Sequence, residues 1–280
     1  MAMPAAEGQV PHFGVIRDGD DDVGLVLALE RRALSVFSRV SIHRGPLWLR
    51  AGPPEPLIAG TLTALRRRWP RRPWRRVSFM PELPAGADSH RLLAAAGFRR
   101  AGEGYRTILV DLVPPESERR KQLRATWRHE LQRAERAGLE VEIDSHGKAT
   151  LPWLAQRCDL DRRLRGYHGV SSRLALQLML AARPAGEAMV LVAAQAGERL
   201  AGIFVVRHGD SATYLIGWTG AEGRRLGATH LLLWRAMEAL AAKGVRWFDL
   251  GGINPETAAG VTMFKRGLGG VEVELIGTYT

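Results

Sequence analysis

From Gly244 to Thr280 the chain alternates short apolar runs with glycines, and that rhythm leaves few ways to fold. Val245 to Leu250 is an apolar and aromatic run that follows Gly244. Gly251 and Gly252 then release the backbone into a turn whose conformations a side chain would obstruct. Val261 to Arg266 is long enough for one or two helical turns, which Gly267, Gly269 and Gly270 stop. Val271, Val273, Leu275 and Ile276 supply a closing strand. The stretch therefore reads as strand, turn, short helix, strand. Asp249 falls at a strand end, and Lys265 beside a glycine-lined opening.

The residues before this stretch extend the pattern. Met189–Ala194, Leu200–Val206 and Thr213–Trp218 are strand candidates separated by turns at Gly197-Glu198 and Gly209-Asp210, an expected antiparallel meander. A helix from about Arg225 to Lys243 follows, so the order is β-β-β-α-β. Further upstream, Thr107–Leu112 reads as a strand ended by Pro114-Pro115. Glu116 to Ala137 reads as one long helix, with Leu123, Trp127, Leu131 and Ala134 on one face and Arg120, Arg124 and Arg128 in a separate basic row. Val141–Asp144 opens a second unit, in which Leu151–Leu164 is a helix and Ser171 or Ser172 caps another running to Ala182.

In the first part of the chain, the acidic cluster Asp18–Asp22 ahead of Val23–Leu29 suggests a loop entering a helix whose N-terminus favours negative charge. Val40–Ile42 and Leu47–Leu49 are short strands around a turn at Arg44-Gly45-Pro46. Leu57–Arg68 carries a helical stripe, Val77–Met80 is a strand, and Leu92–Ala96 is a helix that Gly97 caps.

Charge narrows the partners. The formal net charge of +11 favours polyanions, whether nucleic acid or phosphate-rich membrane surfaces. Seven of the eleven residues from Arg66 to Arg76 are arginine, interleaved with Trp69, Pro70, Pro73 and Trp74. That mixture suits RNA backbone plus base stacking, a membrane interface, or a solvated loop with arginines stacked on tryptophan. Only four of the forty basic residues are lysine: Lys121, Lys148, Lys243 and Lys265. A compact ammonium can point at one developing oxyanion where a guanidinium fork cannot, which singles out Lys265; a helix-end cation answering the dipole is the structural alternative.

Other features exclude function classes. A single cysteine, Cys158, rules out an internal disulfide and fits a reducing cytoplasm. The N-terminal residues have neither a basic region nor an apolar core, so no secretion signal is expected, and no run of apolar residues is long enough for a membrane span. Scattered histidines form no zinc pattern, so no metal is expected, and neither a Gly-x-Ser-x-Gly elbow nor a phosphate-binding Gly-x-x-x-x-Gly-Lys loop is present.

A family resemblance rests on ordered landmarks. Asp249-Leu250-Gly251-Gly252-Ile253-Asn254, Gly260-Val261 and Phe264-Lys265-Arg266-Gly267-Leu268-Gly269-Gly270 resemble the C-terminal signature of the Fem family. These are aminoacyl-tRNA-dependent transferases that build peptidoglycan interpeptide bridges and are related in fold to the GNAT acetyltransferases. Arg44-Gly45-Pro46, Gly97-Phe98-Arg99, Thr107 to Leu112, Trp127-Arg128 and Arg133 to Gly138 are similar to further landmarks of that family, in its order.

The resemblance implies an α/β fold of two tandem GNAT-like domains, each a mixed, mainly antiparallel sheet flanked by helices. We expect residues 1–143 and 144–280, with the last strand, about 271–280, packing back on the first. It implies a cytoplasmic aminoacyltransferase, acting at the inner face of the membrane if its acceptor is there. The donor would be aminoacyl-tRNA, with no cofactor. The acceptor would be an amine of a nucleotide- or lipid-linked peptidoglycan precursor, or of a similar small molecule. Lys265 would stabilise the tetrahedral oxyanion and Phe264 would hold it in place. By its strand-end position Asp249 is a candidate base, with substrate phosphate or the tRNA itself as the other proton acceptors. Arg163 and Tyr167 match the position that binds the phosphates and sugar of a nucleotide-linked precursor in some members; His168 beside them reads as structural. Tyr214 matches a substrate-contact tyrosine, and core packing is its other reading. Arg44 is a candidate anion ligand. From their own pattern, Arg120, Arg124, Arg128, Arg71 and Arg72 are candidates for tRNA phosphates, with a solvated basic face as the other reading.

Two other readings stand beside this one. In acetyl-CoA-dependent GNAT proteins, a loop of the form Arg/Gln-x-x-Gly-x-Gly/Ala cradles pyrophosphate on bare backbone amides. Arg224-Arg225-Leu226-Gly227-Ala228-Thr229 matches it except at Thr229. A non-catalytic RNA-binding protein also fits the charge and the arginine segment, and leaves the transferase-like tail unexplained.

Overall fold

The computed structural model describes residues 8–33, 36–167 and 169–280. The chain forms two units, one containing the residues up to Arg106 together with Val273–Thr280, the other Thr107–Glu272. The residues that carry the secretion-signal expectation (1–7) and His168 lie outside the described residues.

The first unit contains β1 (Val10–Asp18), β2 (Asp21–Ala33), β3 (Phe37–Gly45), β4 (Leu47–Trp48), α1 (Glu55–Arg68), β5 (Arg75–Pro81), α2 (Ala87–Ala95), β6 (Arg100–Gly102) and, from the end of the chain, β14 (Thr278–Tyr279). Its sheet runs β1-β2-β3-β5-β14-β6, with β4 beside β2. α1 joins β3 to the parallel β5. One face of the sheet buries Ala28, Val40, Ile42, Val77 and Phe79 against Leu62, Trp69, Leu93 and Phe98, and the returning segment adds Ile276 and Tyr279 to this core.

One expectation fails in this unit. Asp18–Asp22 does not lead into a helix: β1 and β2 form a hairpin, and Val23–Leu29 lies within β2. Val26, Ala28 and Glu30 are buried while Leu25 and Leu27 are exposed, a period of two that the β1 partner exploits and that a helix would scramble.

The second unit contains β7 (Arg106–Asp111), α3 (Glu116–Gln122), α4 (Ala125–Arg136), β8 (Glu140–Asp144), α5 (Thr150–Arg165), α6 (Ser172–Ala182), β9 (Ala188–Gln195), β10 (Glu198–His208), β11 (Ser211–Thr219), α7 (Ala221–Arg225), α8 (Ala228–Ala242), β12 (Trp247–Asp249), α9 (Ala259–Arg266) and β13 (Val271–Glu274). The sheet order is β13-β7-β12-β11-β10-β9-β8. β8 to β11 form the antiparallel meander, and α8 crosses to the parallel strand β12. Two mixed sheets flanked by helices are therefore the architecture, each with a helix that crosses between parallel neighbours.

The expected boundary at Ile143 falls inside this unit. β7 pairs with β12, and Trp127, Leu131 and Ala134 of α4 share a core with Leu231, Trp234 and Phe248, so residues from Thr107 onward belong to the second sheet.

The expected single helix over Glu116–Ala137 is two helices. Leu123 turns extended (ψ 136°), and Arg124 caps α4 instead of continuing α3. The break receives the glycine tail: the Arg124 amide donates to the Gly267 carbonyl at 3.0 Å. The backbone of Gly269, at φ +86°, lies so close to Gln122 that a Cβ would come within 2.4 Å of its carbonyl oxygen.

Candidate active site

β11 and β12 run side by side only from Ser211 to Thr213, which face Trp247 to Asp249. Beyond that point β12 ends and β11 continues to Thr219, with a bulge at Leu215 where its pairing to β10 shifts. Among the described residues no strand pairs with Tyr214–Thr219 on the β12 side, so this edge offers backbone donors and acceptors to an extended ligand.

Lys265 sits at this fork. It lies on the last turn of α9, is only 8% exposed, and donates to the carbonyls of Gly252 at 2.8 Å and Gly251 at 3.2 Å. Its ammonium is 5.8 Å from the centroid of the Tyr214 ring. Burial brings its pKa down to about 8, against the opposing pull of the Asp249 carboxylate. Two carbonyls use two of the three ammonium hydrogens, which leaves a donor for a further oxygen.

Asp249 is buried at the end of β12. Its Oδ1 accepts from the Thr107 hydroxyl and from the Gly251 amide, the latter at 2.8 Å, and Thr107 also bonds the Gly251 carbonyl at 3.1 Å. Together these bonds fix the turn that carries both carbonyl ligands of Lys265. Gly251 adopts φ +73°, and a Cβ there would approach the Tyr214 carbonyl to 2.9 Å.

Phe264, beside Lys265, packs edge-on to His230 at a centroid distance of 4.9 Å, and His230 packs on Trp127 at 4.8 Å. Burial lowers the His230 pKa to about 4, so this imidazole is a neutral packing element at pH 7. The Tyr214 phenol titrates above its ordinary range, first through burial and then through nearby Cys158 and Tyr167. Its hydroxyl lies where a side chain at Gly217 would stand.

The remaining sequence candidates in this unit are engaged differently. Arg163 is exposed on α5, and Tyr167 follows the left-handed cap Gly166, so the two do not share a helix face. The Tyr167 hydroxyl instead donates to Asp161 at 3.3 Å, a carboxylate that also holds Arg165 at 2.8 Å. Arg120 is clamped by Glu135 at 2.8 and 3.1 Å and stacks on Trp234 at 4.7 Å. Arg124 is exposed and Arg128 half-buried. The extended residue at 123 breaks the helical spacing, so the three arginines do not form the expected single row.

Three candidates belong to the first unit. Arg44, at φ +51°, makes a paired contact with Glu82, both bonds 2.9 Å, and stacks on Tyr105. Arg71 and Arg72 line a cavity of about 600 Å³ with Arg75, Arg76 and Thr280. Trp69 is buried in the core while Trp74 is exposed. Among the described residues, no group of three or more His, Cys, Asp or Glu side chains is placed to hold a metal, and no helix is long and apolar enough to cross a membrane.

The Arg224–Thr229 loop makes most of its bonds locally. The amides of Arg224, Leu226, Gly227, His230 and Leu231 all donate to carbonyls within the turn. Arg224 donates to the Thr219 carbonyl at 2.6 Å, Arg225 pairs with Glu222, and the Thr229 hydroxyl bonds that of Thr219. Three of the loop's six amides and both of its arginine side chains are engaged locally, and Thr229 puts a side chain where the pyrophosphate-binding pattern has glycine or alanine.

Sequence reasoning missed Thr107, His230 and Gly217. Thr107 opens the apolar run of β7, and its only signal was a hydroxyl at a strand start. His230 gave none, because its ring contacts reach across the fold, and Gly217 gave none, because only the backbone path of β11 brings it under the Tyr214 hydroxyl.

The fold is similar to that of FemX, at 14% identity and a TM-score of 0.80 over 99% of this chain and 89% of that one. It is also similar to the C-terminal domain of a putative lysylphosphatidylglycerol synthetase from Agrobacterium fabrum, at 17% identity and a TM-score of 0.59 over 96% and 83% of the two chains. A tandem GNAT protein from the clavulanic acid biosynthesis pathway aligns at 16% identity and a TM-score of 0.54, over 97% and 82%. No curated protein sequence matches the chain. The model of the acetyltransferase (GNAT) domain family matches residues 117–266, which span the meander, the crossover helix and Lys265. The chain belongs to the acetyltransferase (GNAT) domain family, a family of acyltransferases.

Proposed function

We propose that this protein moves an aminoacyl group from aminoacyl-tRNA to an amine of a peptidoglycan precursor or a similar small acceptor. The observation that carries this reading is the buried Lys265 ammonium, fixed by two carbonyls at the fork of β11 and β12 with one donor to spare. The acceptor amine attacks the ester carbonyl that joins the amino acid to the tRNA ribose. The carbonyl oxygen becomes an oxyanion, which accepts a hydrogen bond from Lys265. Collapse forms the amide and breaks the ester bond, and the proton lost by the amine balances the one gained by the departing ribose oxygen. Asp249 and Thr107 hold the turn that aims Lys265, and Phe264 packs beside it against His230. Tyr214 bounds the site. Arg163 and Tyr167 are the proposed contacts to the acceptor's phosphates, and exposed Arg124, Arg71 and Arg72 the proposed contacts to tRNA.

Family membership favours a second reading, acetyl transfer from coenzyme A. The departure from the pyrophosphate-binding pattern at Thr229, whose hydroxyl bonds that of Thr219, weighs against it. Offering labelled aminoacyl-tRNA and labelled acetyl-CoA separately, with one amine acceptor, distinguishes the two by which label appears in an amide.

A further inference from the structure

On the face of the first sheet opposite its core, one apolar block is left exposed among the described residues. On it Phe13 stands across from Leu27, and Val15, Leu25 and Leu47 stand abreast on three strands. All five are exposed, Phe13 by 70% and Leu47 by 60%. Farther along β2 the same face turns basic: Arg31 is opposite Arg39, and Arg39 is opposite Arg76. Like charges directly opposite one another destabilise a sheet, and a solvated face relieves them with carboxylates. Elsewhere this chain does so, pairing Arg17 with Asp22, Arg44 with Glu82, Arg162 with Asp159 and Arg266 with Glu272. Among the described residues Arg31, Arg39 and Arg76 have no carboxylate partner.

We propose that this face docks on the surface of an anionic phospholipid bilayer. The apolar block is suited to the boundary between headgroups and acyl chains. The arginine row begins about 13 Å along β2 from Leu27, and its long side chains keep their charge at the level of the phosphates. The lipid phosphates supply the negative charge that the row lacks. An RNA strand would neutralise the arginines and leave the mainly aliphatic remainder of the block, Val15, Leu25, Leu27 and Leu47, facing water. A second copy of the same face would bury two unpaired arginine rows against each other. The inference goes beyond the transfer reaction and does not rest on it, because vesicle binding needs neither donor nor acceptor.

The test is co-sedimentation of the full chain with vesicles of phosphatidylglycerol and phosphatidylcholine, or of phosphatidylcholine alone. Binding is expected to the anionic vesicles, to fall by about a hundredfold in Arg31→Gln/Arg39→Gln/Arg76→Gln, which removes three charges. Phe13→Ser/Leu27→Ser changes exposed side chains only, and is expected to lose the binding that survives at high salt. Thermal melts of both variants establish that they are folded. Equal binding to the two vesicle types, or binding to neither, would overturn the proposal. So would tRNA binding that the triple variant abolishes while vesicle binding persists, or a wild-type dimer that Phe13→Ser/Leu27→Ser converts to monomer.

Discussion

The hydroxyl of Tyr214 fills the space that a side chain at Gly217 would need: a Cβ on Gly217 would lie 2.0 Å from the phenolic oxygen. Both residues are on β11, on the length that has left β12, so the missing side chain sets where the ring beside Lys265 stands. Gly217→Ala is expected to push the ring aside and lower kcat by about a hundredfold, as an ångström-scale misplacement does, while the fold survives. Steady-state kinetics beside a thermal melt check it; an unchanged kcat would detach Tyr214 from the site.

A second prediction concerns pH. With a pKa near 8, the Lys265 ammonium is lost as pH rises through that value, so kcat should fall on the alkaline side with a midpoint near 8. The stability term has the opposite direction. Between about 8 and lysine's ordinary 10.5 the unfolded chain holds a proton that the folded chain has released, so this residue's contribution to stability rises with pH there. Lys265→Met should remove both effects, read from a pH–rate profile and from melts between pH 8 and 10.

His230 gives a pH dependence of stability at the acid end. Its folded pKa of about 4 lies below the ordinary 6.5, so between these values the unfolded state binds the extra proton and stability falls as pH falls. His230→Phe should flatten that part of the curve. Denaturant midpoints at pH 7 and pH 5 measure the difference.

Much of this architecture was legible because it rests on local pattern. The meander β9 to β11, the crossover helix and the strand ending at Asp249 all follow from apolar runs cut by glycine, and each is present. Charge misled at Val23–Leu29, where an acidic cluster suggested a helix start although the residues alternate inward and outward with the period of a strand. The interruption at Leu123 was hidden for a different reason. The helical stripe continues across it, and only the Gly267–Gly269 tail lodged against it explains the break. At the site, Lys265 and Asp249 were visible as an odd lysine and a strand-end acid. Thr107, which links Asp249 to the glycine turn, was not, because its hydroxyl acts across more than a hundred residues of chain.

Cys158 lies buried on α5 with its thiol pKa pushed up to about 12, chiefly by burial. A thiolate-directed reagent should therefore leave the native protein unmodified at pH 8 and react fully once denaturant is added. A titration with and without denaturant tests this; fast native labelling would mean that α5 opens readily.

The most direct measurement of the central claim is label transfer by wild type and Lys265→Ala, with tRNA charged with labelled amino acids as donor and a nucleotide-linked pentapeptide as acceptor. The account predicts label from tRNA in an amide product, and a rate about 100- to 1000-fold lower in Lys265→Ala. Label that arrives only from acetyl-CoA, or tRNA-dependent transfer that Lys265→Ala leaves unchanged, would contradict it.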